Sequence, residues 1–283
     1  MKKRKRLIFC FLMLPIFVAL VVWIVWSNSA LVVNEVVVSS DKIPHSFGGY
    51  RIAQVSDLHN ATFGVDNGKL LDNLKACNPD VIVLTGDLVD SYRTDIDISI
   101  AFTEKATQIA PTYFVTGNHE SRISEYDVLI EKLEAAGVTV LNNEAVVLER
   151  DAETIMLLGV SDPSFQVDYL LGDAAPYMDS VVSELMQGAK GYTVLLSHRP
   201  EFFDVYTTNN VDLVLTGHAH GGQFRLPFVG GLVAPGQGLF PKYDAGLYVQ
   251  NETNMIVSRG LGNSLFPFRI NNRPEIIVVT LNR

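Results

Sequence analysis

Cysteine is scarce in this 283-residue chain, which has two, Cys10 and Cys77. Cys10 lies in an apolar N-terminal stretch, so everything after that stretch holds a single thiol. This excludes an internal disulfide framework there, and any Cys-rich zinc site. A bound metal is left to His, Asp, Glu, Asn or backbone oxygen. Acids are missing from residues 1–30, which carry Lys2, Lys3, Arg4, Lys5 and Arg6. Basic runs are missing from residues 31–283. The net charge of −9, from 22 Lys+Arg against 31 Asp+Glu, therefore hides two parts. The N-terminus stands at +5, and the body at −14, from 17 bases and 31 acids. An acidic body without a basic run argues against broad nucleic-acid binding. Repeats and low-complexity tracts are also lacking, and 48% hydrophobic residues exclude disorder.

Leu7 to Trp26 reads LIFCFLMLPIFVALVVWIVW, 20 residues without a charge. As a helix rising about 1.5 Å per residue, it spans roughly the 30 Å of a hydrocarbon core. Trp23 and Trp26 close its far end, where aromatic rings favour the membrane interface. The five bases at the near end predict a cytoplasmic N-terminus and a body outside the cytoplasm. A cleaved signal peptide is the competing reading, with Ser27, Ser29 and Ala30 as small residues at a cleavage site. The run exceeds the roughly 7–15 residues of a signal core, which favours an uncleaved single-pass anchor. Residues 1–30 are thus read as anchor, and residues 31–283 as one domain without an internal linker.

Along the body, five short apolar runs end alike. Ile52–Val55 leads into Ser56-Asp57, Val81–Leu84 into Thr85-Gly86-Asp87, and Tyr113–Val115 into Thr116-Gly117-Asn118. Thr193–Leu196 leads into Ser197-His198, and Leu213–Leu215 into Thr216-Gly217-His218. Continuous apolar runs suit strands buried on both faces. Leu70, Leu71, Leu74 and Cys77 recur at helical spacing. Ser124 with Asp127 reads as a capping box ahead of a helix that Gly137 closes. Strand–helix alternation predicts an α/β fold with ligands beyond the strands' carboxyl ends. Leu31–Val38 reads as a further strand. After about residue 137 strands prevail, at Val138–Leu141, Ala145–Glu149, Ile155–Gly159, Leu247–Gln250, Met255–Ser258 and Ile276–Leu281. They predict a second sheet packed on the first, with few helices between.

Of six histidines, five sit at or just past these strand ends: His59, His119, His198, His218 and His220. A lone histidine is usually a surface or satisfied core residue, but five in one structural context is not that pattern. Asp57 and His59 lie two residues apart, as do His218 and His220, which in extended backbone turns each pair to one side. With Asp87, Asn118 and His198 they make seven nitrogen and oxygen ligands. That exceeds one tetrahedral site and suits two divalent ions, Mn, Fe or Zn, if a carboxylate bridges.

Asp57-x-His59, Gly86-Asp87-x-x-Asp90, Gly117-Asn118-His119-Glu120, His198 and Gly217-His218-x-His220 resemble, in order, the five motifs of the calcineurin-like metallophosphoesterases. Gly221-Gly222-Gln223, Gly238 to Tyr243 and Ser258 to Gly262 resemble a bacterial branch with an N-terminal membrane segment. Some members of that branch are UDP-2,3-diacylglucosamine pyrophosphatases. The resemblance implies a four-layer αββα sandwich of two mixed sheets flanked by helices. It implies that Asp57, His59 and His220 hold one metal, that Asn118, His198 and His218 hold the other, and that Asp87 bridges them. It further implies a hydroxide nucleophile, His119 as general acid and Asp90 orienting His119. The implied substrate is a phosphomonoester, phosphodiester or pyrophosphate, lipid-linked in the glycolipid version.

Several residues keep two readings. Asp90 also suits a solvated turn, and Glu120 the acidic start of a helix. Arg199 suits a substrate phosphate or a structural ion pair, and Arg259, Arg269 and Arg273 share that ambiguity. Phe224 to Tyr243 and Leu265-Phe266-Pro267-Phe268 suit ordinary core, an apolar wall for a lipid-bearing substrate, or a surface facing the bilayer. A non-catalytic membrane scaffold or metal sensor is the alternative from another class. A metallo-β-lactamase-like hydrolase would need an HxHxDH run, which the sequence lacks.

Overall fold

The computed structural model describes residues 2–167, 173–263 and 266–283, with side chains from residue 11 onward. The side chains of Lys2, Lys3, Arg4, Lys5, Arg6 and Cys10, and Leu265 of the second apolar segment, lie outside that description. Helix α1 (Lys2–Ser29) carries the apolar stretch. Its part Phe11–Ser29, of mean hydropathy 2.2, is almost wholly unburied and is long and apolar enough to cross a membrane. Strand β1 (Val32–Ser39) follows, then β2 (Arg51–Val55), α2 (Gly68–Ala76), β3 (Val81–Thr85), α3 (Ile96–Ala106), β4 (Thr112–Val115), α4 (Tyr126–Ala135) and β5 (Val138–Val140). The chain continues through β6 (Glu144–Arg150), β7 (Glu153–Gly159), α5 (Ala175–Gly188), β8 (Thr193–Leu196), α6 (Phe203–Thr208) and β9 (Leu213–Thr216). Two small hairpins pair β10 (Arg225–Leu226) with β11 (Gly230–Gly231), and β12 (Val233–Ala234) with β13 (Gly238–Leu239). Strands β14 (Gly246–Gln250), β15 (Thr253–Val257) and β16 (Glu275–Asn282) close the chain.

Among the described residues two six-stranded mixed sheets result, ordered β1-β16-β2-β3-β4-β5 and β14-β15-β9-β8-β7-β6. In the first, β2 to β5 are parallel and β16 runs antiparallel to β2, with Val279 opposite Ile52. In the second, β7, β8, β9 and β15 are parallel. The layers follow from side-chain alternation along strands buried on both faces. Ile52, Val81 and Val83 of the first sheet meet Leu157, Val194 and Leu215 of the second between the sheets. Ala53, Ile82 and Leu84 face the other way, against Leu70, Leu74, Phe102, Leu129 and Leu133 of α2, α3 and α4. Leu158, Leu195 and Val214 face Met178, Val182, Phe203 and Tyr206 of α5 and α6. This is the αββα order.

Four expectations change. The second sheet starts at β6, not at residue 137, because β5 pairs with β4. Strand β16 returns to the first sheet, between β1 and β2. Helix α5 runs 14 residues among the later strands, with Met178 and Val182 as its buried stripe. Ser124 makes no capping box, since its hydroxyl donates to the Glu125 carboxylate and α4 starts at Tyr126 without a side-chain cap. Gly137 does close α4, at φ +88°.

Candidate metal centre

The five apolar runs are β2, β3, β4, β8 and β9, three from one sheet and two from the other. Because these strands are parallel within each sheet, their carboxyl ends gather along one edge of the sandwich. Hydrogen bonds lock the two sets of loops together there. Gln54 Nε2 donates to Thr85 Oγ1 and Thr216 O, at 3.0 and 2.8 Å. The His218 N–H donates to both Asp57 carboxylate oxygens, at 3.1 and 3.2 Å. The loops also need missing side chains. A Cβ on Gly217 would lie 1.9 Å from Ser56 Oγ and 2.4 Å from Asp57 Oδ2. One on Gly86 would lie 2.6 Å from His198 Nδ1.

Asp57, His59, Asp87, His218 and His220 all take left-handed backbone, with φ of 52°, 45°, 52°, 63° and 47°. The i, i+2 pairs Asp57/His59 and His218/His220 therefore do not sit on extended backbone as expected; sharp left-handed turns aim their side chains. Such conformations are costly for residues with a Cβ and concentrate where function demands them.

Among the described residues, three buried groups could each hold a cation: Asp57, His59 and His220; Asp87, His198 and His218; and His59, Asp90 and His119. The first two touch through shared neighbours. His220 Nε2 lies 3.4 Å from Asp57 Oδ1 and 3.2 Å from His59 Nε2. His59 Nε2 is 3.5 Å from Asp87 Oδ2, and His198 Nε2 is 3.1 Å from that same oxygen. His218 Nδ1 sits 3.1 Å from His198 Nε2. Asp87 thus faces both groups. Asn118 is buried beside them, and among the described residues its Oδ1 has no hydrogen-bond partner. An orphaned buried acceptor, ring nitrogens turned toward one another and two carboxylates fit cations of borderline hardness. His198 Nδ1 lies 2.8 Å from Thr85 O and must donate to it, which fixes the ring and leaves Nε2 toward Asp87.

Burial and crowding shape the electrostatics. Burial pushes the Asp57 carboxyl up to about 6 and His59 down to about 3. Asp87 is buried too, but His198 and His119 outweigh that and hold it well below the usual carboxylate range. His198 resists burial because Asp87 lies beside it, and rises to about 10. Asp87 and His198 thus each favour their charged form beside the other, and a divalent ion would meet the same need of Asp87. Burial lowers His218 and His220 well below their ordinary value, reinforced by Arg199 and His59 respectively.

The remaining sequence-predicted residues surround this cluster. His119 stacks edge-on against His59, centroids 4.5 Å apart. Its Nδ1 takes the Ser91 backbone N–H at 2.9 Å. Asp90 Oδ1 is farther, at 3.7 Å, and the Asp90 carboxylate accepts from Tyr92 N and from Arg93. Glu120 is fully buried and accepts from the backbone N–H of Asp87, Gly117 and Val89. It therefore ties the loops after β3 and β4 together. Burial, then Asp87, raises it to about 7. Arg199 is 3% exposed and forks onto Asp162 at 2.5 and 3.0 Å, while its Nη1 lies 2.9 Å from His218 Nε2. Arg269, wholly buried, donates to Arg259 O, Gly262 O and Asn263 Oδ1 and reaches His220 Nδ1 at 3.3 Å. His45, the sixth histidine, lies ahead of β2, at the opposite end from the ligands. Asp162 was not anticipated. It follows β7 as the ligands follow their strands, and that repetition was the available signal. A cleft of about 350 Å³ opens beside His59 and Asp90, walled by Asn60, Arg93, Asn263 and Pro267.

A family model described as calcineurin-like phosphoesterase matches residues 50–222. The chain is 33% identical over 240 residues to Phosphodiesterase YaeI of Escherichia coli, covering 82% of each. It is 31% identical over 253 residues to the uncharacterized metallophosphoesterase YkuE of Bacillus subtilis, covering 88% of this chain and 84% of that one. A zebrafish transmembrane protein with a metallophosphoesterase domain is 30% identical over 265 residues, and the match spans 89% of this chain but 57% of that longer protein. TT1561 of Thermus thermophilus shares the fold, with a TM-score of 0.52 at 14% identity over 75% of this chain and 90% of that one.

Proposed function

Because the chain belongs to the calcineurin-like phosphoesterase family, we propose that it is a membrane-anchored, dinuclear metal-dependent phosphoesterase. The observation that carries this reading is Asp87, whose carboxylate faces both the Asp57–His59–His220 group and the His198–His218 pair. Asp57, His59 and His220 would hold one ion, and Asn118, His198 and His218 the other, with Asp87 between them. Mn, Fe and Zn all suit these donors. Bound there, the two ions would supply a nucleophile drawn from water and neutralise charge on the phosphoryl oxygens.

The chain's own residues do the rest. Glu120 holds the Asp87 and Gly117 backbones in register, so the ligands keep their spacing. His119 accepts a backbone N–H at Nδ1, so the neutral ring carries its proton at Nε2. That proton is offered to the leaving oxygen. Full transfer as a general acid needs a second proton, taken from solvent, at Nδ1 in place of the Ser91 N–H bond, with Ser91 Oγ at 3.0 Å and Asp90 at 3.7 Å as its acceptors. Arg199, already forked onto Asp162, positions His218 instead of gripping a substrate phosphate.

Likeness to the Escherichia coli phosphodiesterase YaeI favours a phosphodiester substrate. The basic N-terminus favours a body outside the cytoplasm. A UDP-linked acyl sugar is a narrower substrate, supported by the anchor and the apolar loops but requiring a cytoplasmic body. Protease accessibility in intact cells separates these, and a protected body would favour the nucleotide-linked substrate. The direct test is hydrolysis of bis(p-nitrophenyl) phosphate and p-nitrophenyl phosphate by the purified, metal-loaded full chain. Turnover should collapse in Asp87→Asn and in His119→Ala. Full turnover in both would overturn the assignment, and metal binding without turnover would favour a scaffold or sensor.

A further inference from the structure

The end of α1 is built into the edge of the catalytic site. Asn28 Nδ2 donates to Arg269 O at 2.9 Å, and the Arg269 N–H donates to Asn28 Oδ1 at 2.7 Å. Arg273 donates to Ala30 O and Leu31 O, and its guanidinium lies 4.8 Å from the Trp26 ring centroid. Ser27 is buried. The helix that can span a membrane therefore leaves it directly against segment 266–273, with no free linker between.

That segment is joined to the two small hairpins. Phe224 bridges to Ile270, and the Arg225 N–H donates to Ile270 O at 3.0 Å. Gln223 Nε2 donates to Phe268 O at 2.8 Å, and the Phe224 ring packs on Phe266 and Phe268 at 5.2 and 5.7 Å. The hairpins turn part of their apolar content outward. Ala234 and Tyr243 join the core, but Phe228 is wholly exposed, and Val229, Leu239, Phe240, Phe266 and Phe268 are exposed too. Singly exposed apolar residues need no explanation; six on connected loops at the foot of a spanning helix do.

We propose that these loops dock on the membrane leaflet from which α1 emerges. The occupant is the lipid surface itself, because α1 brings a bilayer to segment 266–273 and that segment continues into the hairpins. The proposal rests on α1 spanning a bilayer. Its consequence is orientation: Pro267, between two of the docking rings, also walls the cleft beside His59, so docking sets one wall of that cleft at the lipid surface. Phosphate esters carried by lipids of that leaflet are then the favoured class of substrate.

The test uses the full chain in nanodiscs of phosphatidylethanolamine and phosphatidylglycerol doped with a doxyl-labelled phospholipid. A maleimide fluorophore is placed at Phe228→Cys or Phe240→Cys in a Cys10→Ser, Cys77→Ala background. A third label, at Val147→Cys, sits on β6, at the edge of the second sheet opposite β14. Insertion by about 5–10 Å would bring the first two labels within reach of the doxyl group. Both should be quenched and blue-shifted while the Val147 label is not. Retention on the nanodisc with unquenched labels at 228 and 240 would overturn the docking alone. Loss of the chain from the nanodisc would overturn the anchor reading as well. Neither readout depends on turnover, so a failure of the enzymatic reading shows separately.

Discussion

Asp57, His59 and His220 on one side, and Asp87, His198 and His218 on the other, are alike in composition and burial but differ in what stands behind them. Each group has a histidine touched by a buried arginine. Behind His218, Arg199 is neutralised by the Asp162 carboxylate. Behind His220, Arg269 is held by carbonyl and amide oxygens, and its backbone is gripped by the end of α1. Burial lowers Arg269 to about 10, whereas Arg199 holds the Asp162 carboxyl below its ordinary 3.8 against burial. One half is thus an ion-paired interior, and the other a polar joint between the metal-ligand loops and the end of α1. The same ligand chemistry is positioned by charge pairing on one side and by backbone geometry on the other, with different sensitivities.

Asp87 belongs to both halves, so Asp87→Asn should break both. Turnover of an aryl phosphate diester should fall about 10³-fold, the scale of losing an electrostatic stabiliser of the transition state. Arg199→Met leaves the buried Asp162 uncompensated and should cost about 3–5 kcal/mol by chemical denaturation. Arg269→Met leaves carbonyls short of a donor and should cost less, about 1–3 kcal/mol. Equal losses would erase the contrast between the halves. Acid sharpens it further. Asp162 has a depressed folded pKa, so its stabilisation is present above pH about 4 and is lost as pH falls through the folded value. Asp162→Asn should remove that acid limb from a stability-against-pH curve. The smallest effect belongs to Phe228→Asp, which should change stability by less than about 0.5 kcal/mol because the ring is wholly exposed.

The chemistry was legible because strand ends and ligands are adjacent in sequence. Val81–Leu84 followed by Asp87, or Leu213–Leu215 followed by His218, announces a buried strand and the residue it delivers. Sheet membership was not legible, since β16 reaches its place between β1 and β2 only through pairing with residues over two hundred positions away. Helix α5 was hidden by a short apolar stripe, Met178 and Val182, within a polar segment. The supports were missed for the same reason: Asp162 meets Arg199 37 positions on, and Arg269 meets His220 across 49. No spacing rule links such pairs. The left-handed backbone of Asp57 and His59 escaped because neither residue type requires it.

Metal content per chain reads out directly whether two half-sites meet at Asp87. The purified full chain, saturated with Mn and freed of excess, should carry about two ions, and His220→Ala and His218→Ala about one each. A wild-type chain that turns over phosphate esters with a single ion, or variants that both keep two, would contradict a site assembled from two halves around Asp87.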